Sequence, residues 1–217
     1  VLAYAQFAVL LNSVGTVILQ SINSFHVGKT DAAILEAFKD LPIAIVSVCV
    51  AAFLTRLGIR RAIMAGLAIV AIGCIAMPLM PGFGTAKLLF LLTGVSFALV
   101  KTGTYTAIGL VTDSPSDHAS LTNLIEGLFM VGVLSGYWIF GAFIDSAHPA
   151  SLSWLNTYWV LAAMSLAILA LVAISPLDES AAQASGSTPA EDVRAMVALL
   201  ARPTVIVFVV SVFLYVL

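Results

Sequence analysis

Six times along this chain, about twenty apolar residues run together with almost no charge among them. The runs cover roughly 1–20, 33–55, 62–80, 87–111, 120–144 and 153–175. About 20 residues is the length a helix needs to cross the hydrocarbon core of a bilayer. A seventh run, Pro203 to Leu217, reaches the last residue after 15 positions. Apolar residues surround each predicted helix instead of forming one stripe, as lipid-facing bundles require. The alternating polarity of a membrane β-barrel strand is nowhere seen. The predicted class is an all-α, polytopic membrane helix bundle.

Composition agrees. With 61% hydrophobic and 9% charged residues, the chain lies far from the about 45–50% apolar and about 25% charged of soluble domains. Nine basic and eleven acidic side chains give a net charge of −2, which disfavours a soluble enzyme and a nucleic-acid binder together. Cys49 and Cys74 lie in apolar runs without metal-ligand spacing, so they read as small hydrophobes. The first run has no basic leader and carries Gln6, Asn12, Ser13, Thr16 and Gln20. It reads as a working span, not a signal peptide.

Basic residues in short loops set orientation. The turn after the second run, Thr55 to Arg61, holds Arg56, Arg60 and Arg61, and the segment 176–202 adds Arg194 and Arg202. The opposite side holds Lys29 and Lys87. The N-terminus is therefore expected in the cytoplasm, with Trp154, Tyr158 and Trp159 as an outer aromatic belt. Segment 176–202, rich in Ser, Ala, Gly and Pro from Asp178 to Glu191, has linker composition. With a seventh helix only begun, the sequence is expected to be a fragment of a longer chain.

Apart from Lys87 at the edge of its run, five charges fall inside the runs: Glu36, Lys39, Asp40, Lys101 and Glu126. Each costs about 2.5–3.5 kcal/mol at mid-helix unless paired or facing water, so each is a candidate functional residue. Lys101 lies about ten residues, or about 15 Å, from the cytoplasmic end of its helix, and Glu126 about 9 Å in. Glu36, Lys39 and Asp40 share one helix face nearer the outer side. The candidate solute-binding set is Lys101, Glu126, Asn123, Asn12, Lys39, Asp40 and Tyr105. The competing reading makes Lys101–Glu126, and Lys39 with Glu36 or Asp40, ion pairs that only hold helices together. His26, His118 and His148 sit in loops and read as solvated. No catalytic residue, metal site or cofactor is expected, and no phosphate-cradling glycine loop is found.

Six spans, a polar linker and a further span resemble the first half of a major facilitator superfamily transporter. That family carries Gly-x-x-x-Asp-Arg-x-Gly and basic residues after its second helix. Here Arg56, Gly58, Arg60 and Arg61 match, while Ala51 and Thr55 replace the glycine and the aspartate. The resemblance implies a six-helix half (3+3 repeat) at 1–175, a cytoplasmic linker at 176–202, and the start of a seventh helix at 203–217. It also implies a cytoplasmic gate at Arg56, Gly58, Arg60 and Arg61, and a cavity lined by helices one, two, four and five, which carry the candidate set.

Residues 35–142, notably Phe90 to Val111, then Ser120 to Asn123 and Gly132, resemble the fucose-permease branch. That branch has a proton-linked glutamate where Lys101 stands and an aspartate where Asn12-Ser13 stands, so proton-coupled sugar symport does not carry over. Antiporters of the superfamily have Gly-Pro in helix five. Here Tyr137 follows Gly136, and Gly132-x-x-x-Gly136 reads as close helix packing.

The expected activity is secondary transport of a small polar, anionic or zwitterionic solute by alternating access. The alternatives are a proton-coupled sugar permease, an intramembrane enzyme or a non-transporting subunit. The expected partners are that solute, an optional coupling ion and the lipid bilayer, with no nucleic acid. The full-length transporter is expected to be a monomer in a bacterial inner membrane.

Overall fold

The computed structural model describes residues 1–175, 194, 198 and 201–216, without the side chains of 51, 52, 55, 56, 212, 213, 215 and 216. The described residues are helical and contain no strand. In chain order they form α1 (Leu2–Asn12), α2 (Val14–Phe25), α3 (Lys29–Leu57), α4 (Ile59–Leu79), α5 (Phe83–Val111) and α6 (Pro115–Gly141). A 3-10 turn (Ser153–Asn156), α7 (Thr157–Ile174) and α8 (Pro203–Val216) follow. Most of the expected linker 176–202 lies outside the described residues.

Helices α4, α5, α6 and the 3-10 turn with α7 are each long and apolar enough to cross a membrane. Helices α1 and α2 meet at a 42° bend and make a fifth crossing if taken as one broken span. The bend falls at Ser13, whose hydroxyl donates to the Leu10 carbonyl at 2.7 Å. Such a back-bond offers the carbonyl an alternative to the helix ladder and commonly bends helices. The sixth expected span, α3, crowds Lys29, Asp31, Glu36, Lys39 and Asp40 into its first half and is mainly apolar only from Leu41 onward.

Lipid offers no hydrophobic drive for one helix to leave it for another, so small residues that permit close approach organise the bundle. Helix α5 is the centre, with 56% of its most apolar window buried, against 22% for α6. It packs on α3 and α4; α4 also packs on α7, α1 on α6, and α2 on α3. At Gly94, a Cβ atom would stand 2.4 Å from the Lys39 carbonyl oxygen, so α3 and α5 touch backbone to side-chain position. Phe7, Leu67, Phe90, Trp154 and Tyr158 fill the core behind these contacts.

Two of the three aromatic residues expected at the outer interface are core residues. Trp154 and Tyr158 are fully buried, and the Trp154 indole N–H donates to Ser24 Oγ at 3.2 Å, which anchors α7 to the end of α2. Only Trp159 is exposed. The interface pattern failed because this stretch is apolar all round, so nothing in it marks the face that closes the bundle.

Gly58 ends α3 and begins α4 at φ 85° and ψ 136°, a region that residues with a Cβ rarely enter. Gly58→Ala is expected to destabilise the protein by about 1–3 kcal/mol. An unchanged midpoint of thermal unfolding in detergent would contradict this.

Candidate functional site

Helices α1, α5 and α6 converge on one polar group. The approach of α1 to α6 depends on Gly132, where a Cβ would lie 2.3 Å from the Ala5 carbonyl oxygen and 2.8 Å from Ala8 Cβ. Gly136 lies against Val9 one turn on, with more room at 3.6 Å. Close packing, expected from the spacing of the pair, is therefore the role of Gly132, while Gly136 leaves room for a methyl group.

The seam brings Tyr4 of α1 to Glu126 of α6. The Tyr4 hydroxyl donates to Glu126 Oε1 at 3.1 Å, and the Tyr105 hydroxyl of α5 donates to the same oxygen. Around them stand aromatic rings. Tyr4 meets Phe129 at 4.8 Å and Phe97 at 5.8 Å between centroids, and meets Tyr105 edge-on at 6.1 Å. A carboxylate inside a bilayer is costly unless hydrogen bonds replace its water. Two phenol donors from two other helices supply that replacement.

Lys101 lies on α5 one turn from Tyr105 and one turn from Phe97, and it is exposed. Its Nζ sits 5.7 Å from the centre of the Phe97 ring, a cation–π contact that partly offsets desolvation. Among the described residues it forms no ion pair. The expected alternative, a Lys101–Glu126 salt bridge holding α5 to α6, is not what the structure contains; the carboxylate is taken by the tyrosines.

The rest of the candidate set divides. Asn123 is exposed on α6, one turn before Glu126. Asn12 stands at the bend and donates to the Val133 carbonyl at 3.5 Å, eight residues and about 12 Å along α1 from Tyr4. Lys39 pairs with its neighbour Asp40 at 3.4 Å. That pair is level with Gly94, seven residues and about 10 Å along α5 from Lys101. Lys101, Tyr105 and Glu126 thus come together, with Asn123 beside them, while Asn12, Lys39 and Asp40 lie further out.

Tyr4, Phe97 and Phe129 were not singled out from the sequence. A tyrosine in an apolar run gives no local sign that its hydroxyl will meet a carboxylate 122 positions away.

In the arginine turn, the Arg60 guanidinium donates to the Ala173 carbonyl in the last turn of α7. Cations at a helix C-terminus satisfy carbonyls that have no partner further along the helix. Arg61 is exposed, and the Arg56 side chain lies outside the described residues. Beyond α6, the loop histidine His148 has a partner: its Nδ1 lies 3.0 Å from Asp145 Oδ2. That hydrogen bond, with backbone bonds from Ala147 and His148, holds the exposed Asp145 carboxyl below its ordinary range.

A cleft of about 480 Å³ opens between α1, α6 and α7, lined by Leu2, Val9, Leu128, Val131, Met164 and Leu171 among others. It has no charged lining residue and lies apart from Lys101, so acyl chains suit it and a polar solute does not.

An all-helical bundle of membrane-crossing length, with a cation and an anchored carboxylate at depth, is the build of a multi-pass membrane transporter. The family model of the Major Facilitator Superfamily matches residues 1–217, and the chain belongs to that superfamily. Its members are integral membrane proteins and secondary transporters that take small molecules, not enzymes. No curated protein and no solved structure matches the chain, so membership stands at the level of the superfamily and the fucose-permease branch gains no support.

Proposed function

We propose that the protein moves a small anionic or zwitterionic solute by alternating access, with Lys101 as the principal contact. One observation carries this reading. The Lys101 ammonium is exposed and unpaired among the described residues, one helical turn from Tyr105, which with Tyr4 already holds the Glu126 carboxylate. An unneutralised cation at that depth is costly until an anion arrives, and a solute carboxylate or phosphate is the natural partner. Glu126, Tyr105 and Asn123 complete the contact, while Asn12, Lys39 and Asp40 line the approach from outside.

Counterflow exchange of a labelled carboxylate in proteoliposomes tests the proposal. Exchange is required of a transporter, whereas an intramembrane enzyme or an assembly subunit would give none.

The proposal includes an inner-membrane location, a monomeric transporter and a cytoplasmic N-terminus. Arg56, Gly58, Arg60 and Arg61 would then form the cytoplasmic gate turn. A cysteine introduced by Arg60→Cys is expected to react with an impermeant maleimide only when the reagent reaches the cytoplasmic face. Labelling from outside intact cells would invert the orientation.

A further inference from the structure

We infer that the site takes a zwitterion, binding the solute's carboxylate at Lys101 Nζ and its ammonium at the second oxygen of Glu126. The inference rests on the solute site proposed above and narrows it to one charge pattern.

Both tyrosine hydroxyls donate to Glu126 Oε1. Among the described residues no donor reaches Oε2, so half of the carboxylate is spoken for and half is open. Lys101 is open in the complementary sense, since among the described residues its amine meets only the Phe97 ring. The two charges are near neighbours. Phe97, one turn before Lys101, meets Phe129 at 6.2 Å between centroids, and Tyr105, one turn after it, holds Glu126. Lys101 is thus bracketed on α5 by two residues that both touch the Glu126–Phe129 turn of α6.

Opposite charges this close inside a membrane would ordinarily collapse into an ion pair, which lowers the cost of both. Here the tyrosines hold Glu126 by one oxygen, and no Lys101–Glu126 pair forms. Tyr4 is buried, with 2% of its surface exposed, and acts as a positioning residue that holds the carboxylate by Oε1.

A cation and an anion held apart select by repulsion as well as attraction. A plain carboxylate gains Lys101 but is opposed by Glu126. A plain amine gains Glu126 but is opposed by Lys101. Only a solute that carries both charges satisfies both sites and leaves neither charge unmatched.

The test uses the intact transporter and a ruler of ω-amino carboxylates: glycine, β-alanine, γ-aminobutyrate and 6-aminohexanoate. Each is compared with the matching carboxylate lacking the amine and the matching amine lacking the carboxylate, by calorimetry in detergent. At least one zwitterion is expected to bind tenfold or more tighter than both of its counterparts. Glu126→Gln should narrow that preference to about threefold or less, and Tyr4→Phe should narrow it in the same direction without lowering the unfolding midpoint by more than a few degrees.

Zwitterions and carboxylates binding equally to the unaltered protein would overturn the inference and leave the anion reading standing. So would a series in which no zwitterion binds. Binding of every probe unchanged by Lys101→Ala would bring down the solute site itself.

Discussion

Lys101→Ala is expected to abolish measurable solute binding and transport while the protein still inserts and folds. Removing one partner of a charge pair that becomes buried when solute binds costs about 2–5 kcal/mol in affinity, which is at least about 30-fold in Kd at 1.4 kcal/mol per decade. The fold should tolerate the change. Among the described residues Lys101 bonds to no carboxylate, and its loss removes a charge that the membrane disfavours. The unfolding midpoint should therefore hold or rise, a combination that a purely structural lysine would not give. Lys101→Arg keeps the charge and should retain part of the binding. Unchanged affinity in the alanine variant would mean that the exposed ammonium has no role in solute recognition.

The second large effect is structural. Gly132→Ala would set a methyl group 2.3 Å from the Ala5 carbonyl oxygen and 2.8 Å from Ala8 Cβ, so α1 and α6 must separate. Overpacking a tight contact costs about 1–3 kcal/mol and occasionally more, and the backbone on the other side cannot turn aside as a flexible side chain would. We expect about 3 kcal/mol of destabilisation, with weaker Tyr4–Glu126 contact as a consequence. Gly136→Ala, where the nearest atom is 3.6 Å away, is the control and should cost less than about 1 kcal/mol. Similar unfolding midpoints for the two variants would show that the α1–α6 seam is not set by Gly132.

The two predictions separate recognition from assembly. Lys101 burdens the fold with a charge that no carboxylate among the described residues neutralises, which is why its expected role is recognition. Gly132 serves assembly: the position of Tyr4, and through it the orientation of Glu126, depends on the absence of its side chain.

Much of the architecture could be read before any coordinates. Helix positions followed from the apolar runs to within a few residues: 62–80 became Ile59–Leu79 and 153–175 became Ser153–Ile174. Hydropathy succeeds there because lipid requires every backbone polar group to be satisfied within its own segment, leaving the helix as the only open spanning element. The charges at depth were equally legible, since Lys101 and Glu126 stand out against their neighbours. Their pairing was not. The ion-pair expectation rested on opposite sign and similar depth, and nothing local announced that Tyr4 and Tyr105 would occupy the carboxylate first. The same limit misplaced Trp154 and Tyr158, since a belt residue and a core residue have the same sequence neighbourhood when the helix is apolar all round.

Hydropathy settles the class of protein and the place of most of its helices, because each of these is a property of one segment in its solvent, whereas the break between α1 and α2 was not announced by it. Which oxygen of Glu126 is bound, which lysine stays unpaired and which glycine admits a neighbour's carbonyl were decided only when α1, α5 and α6 met. Contacts between segments more than a hundred residues apart depend on helix rotation and crossing, and a uniformly apolar surface carries no periodic signal to encode either.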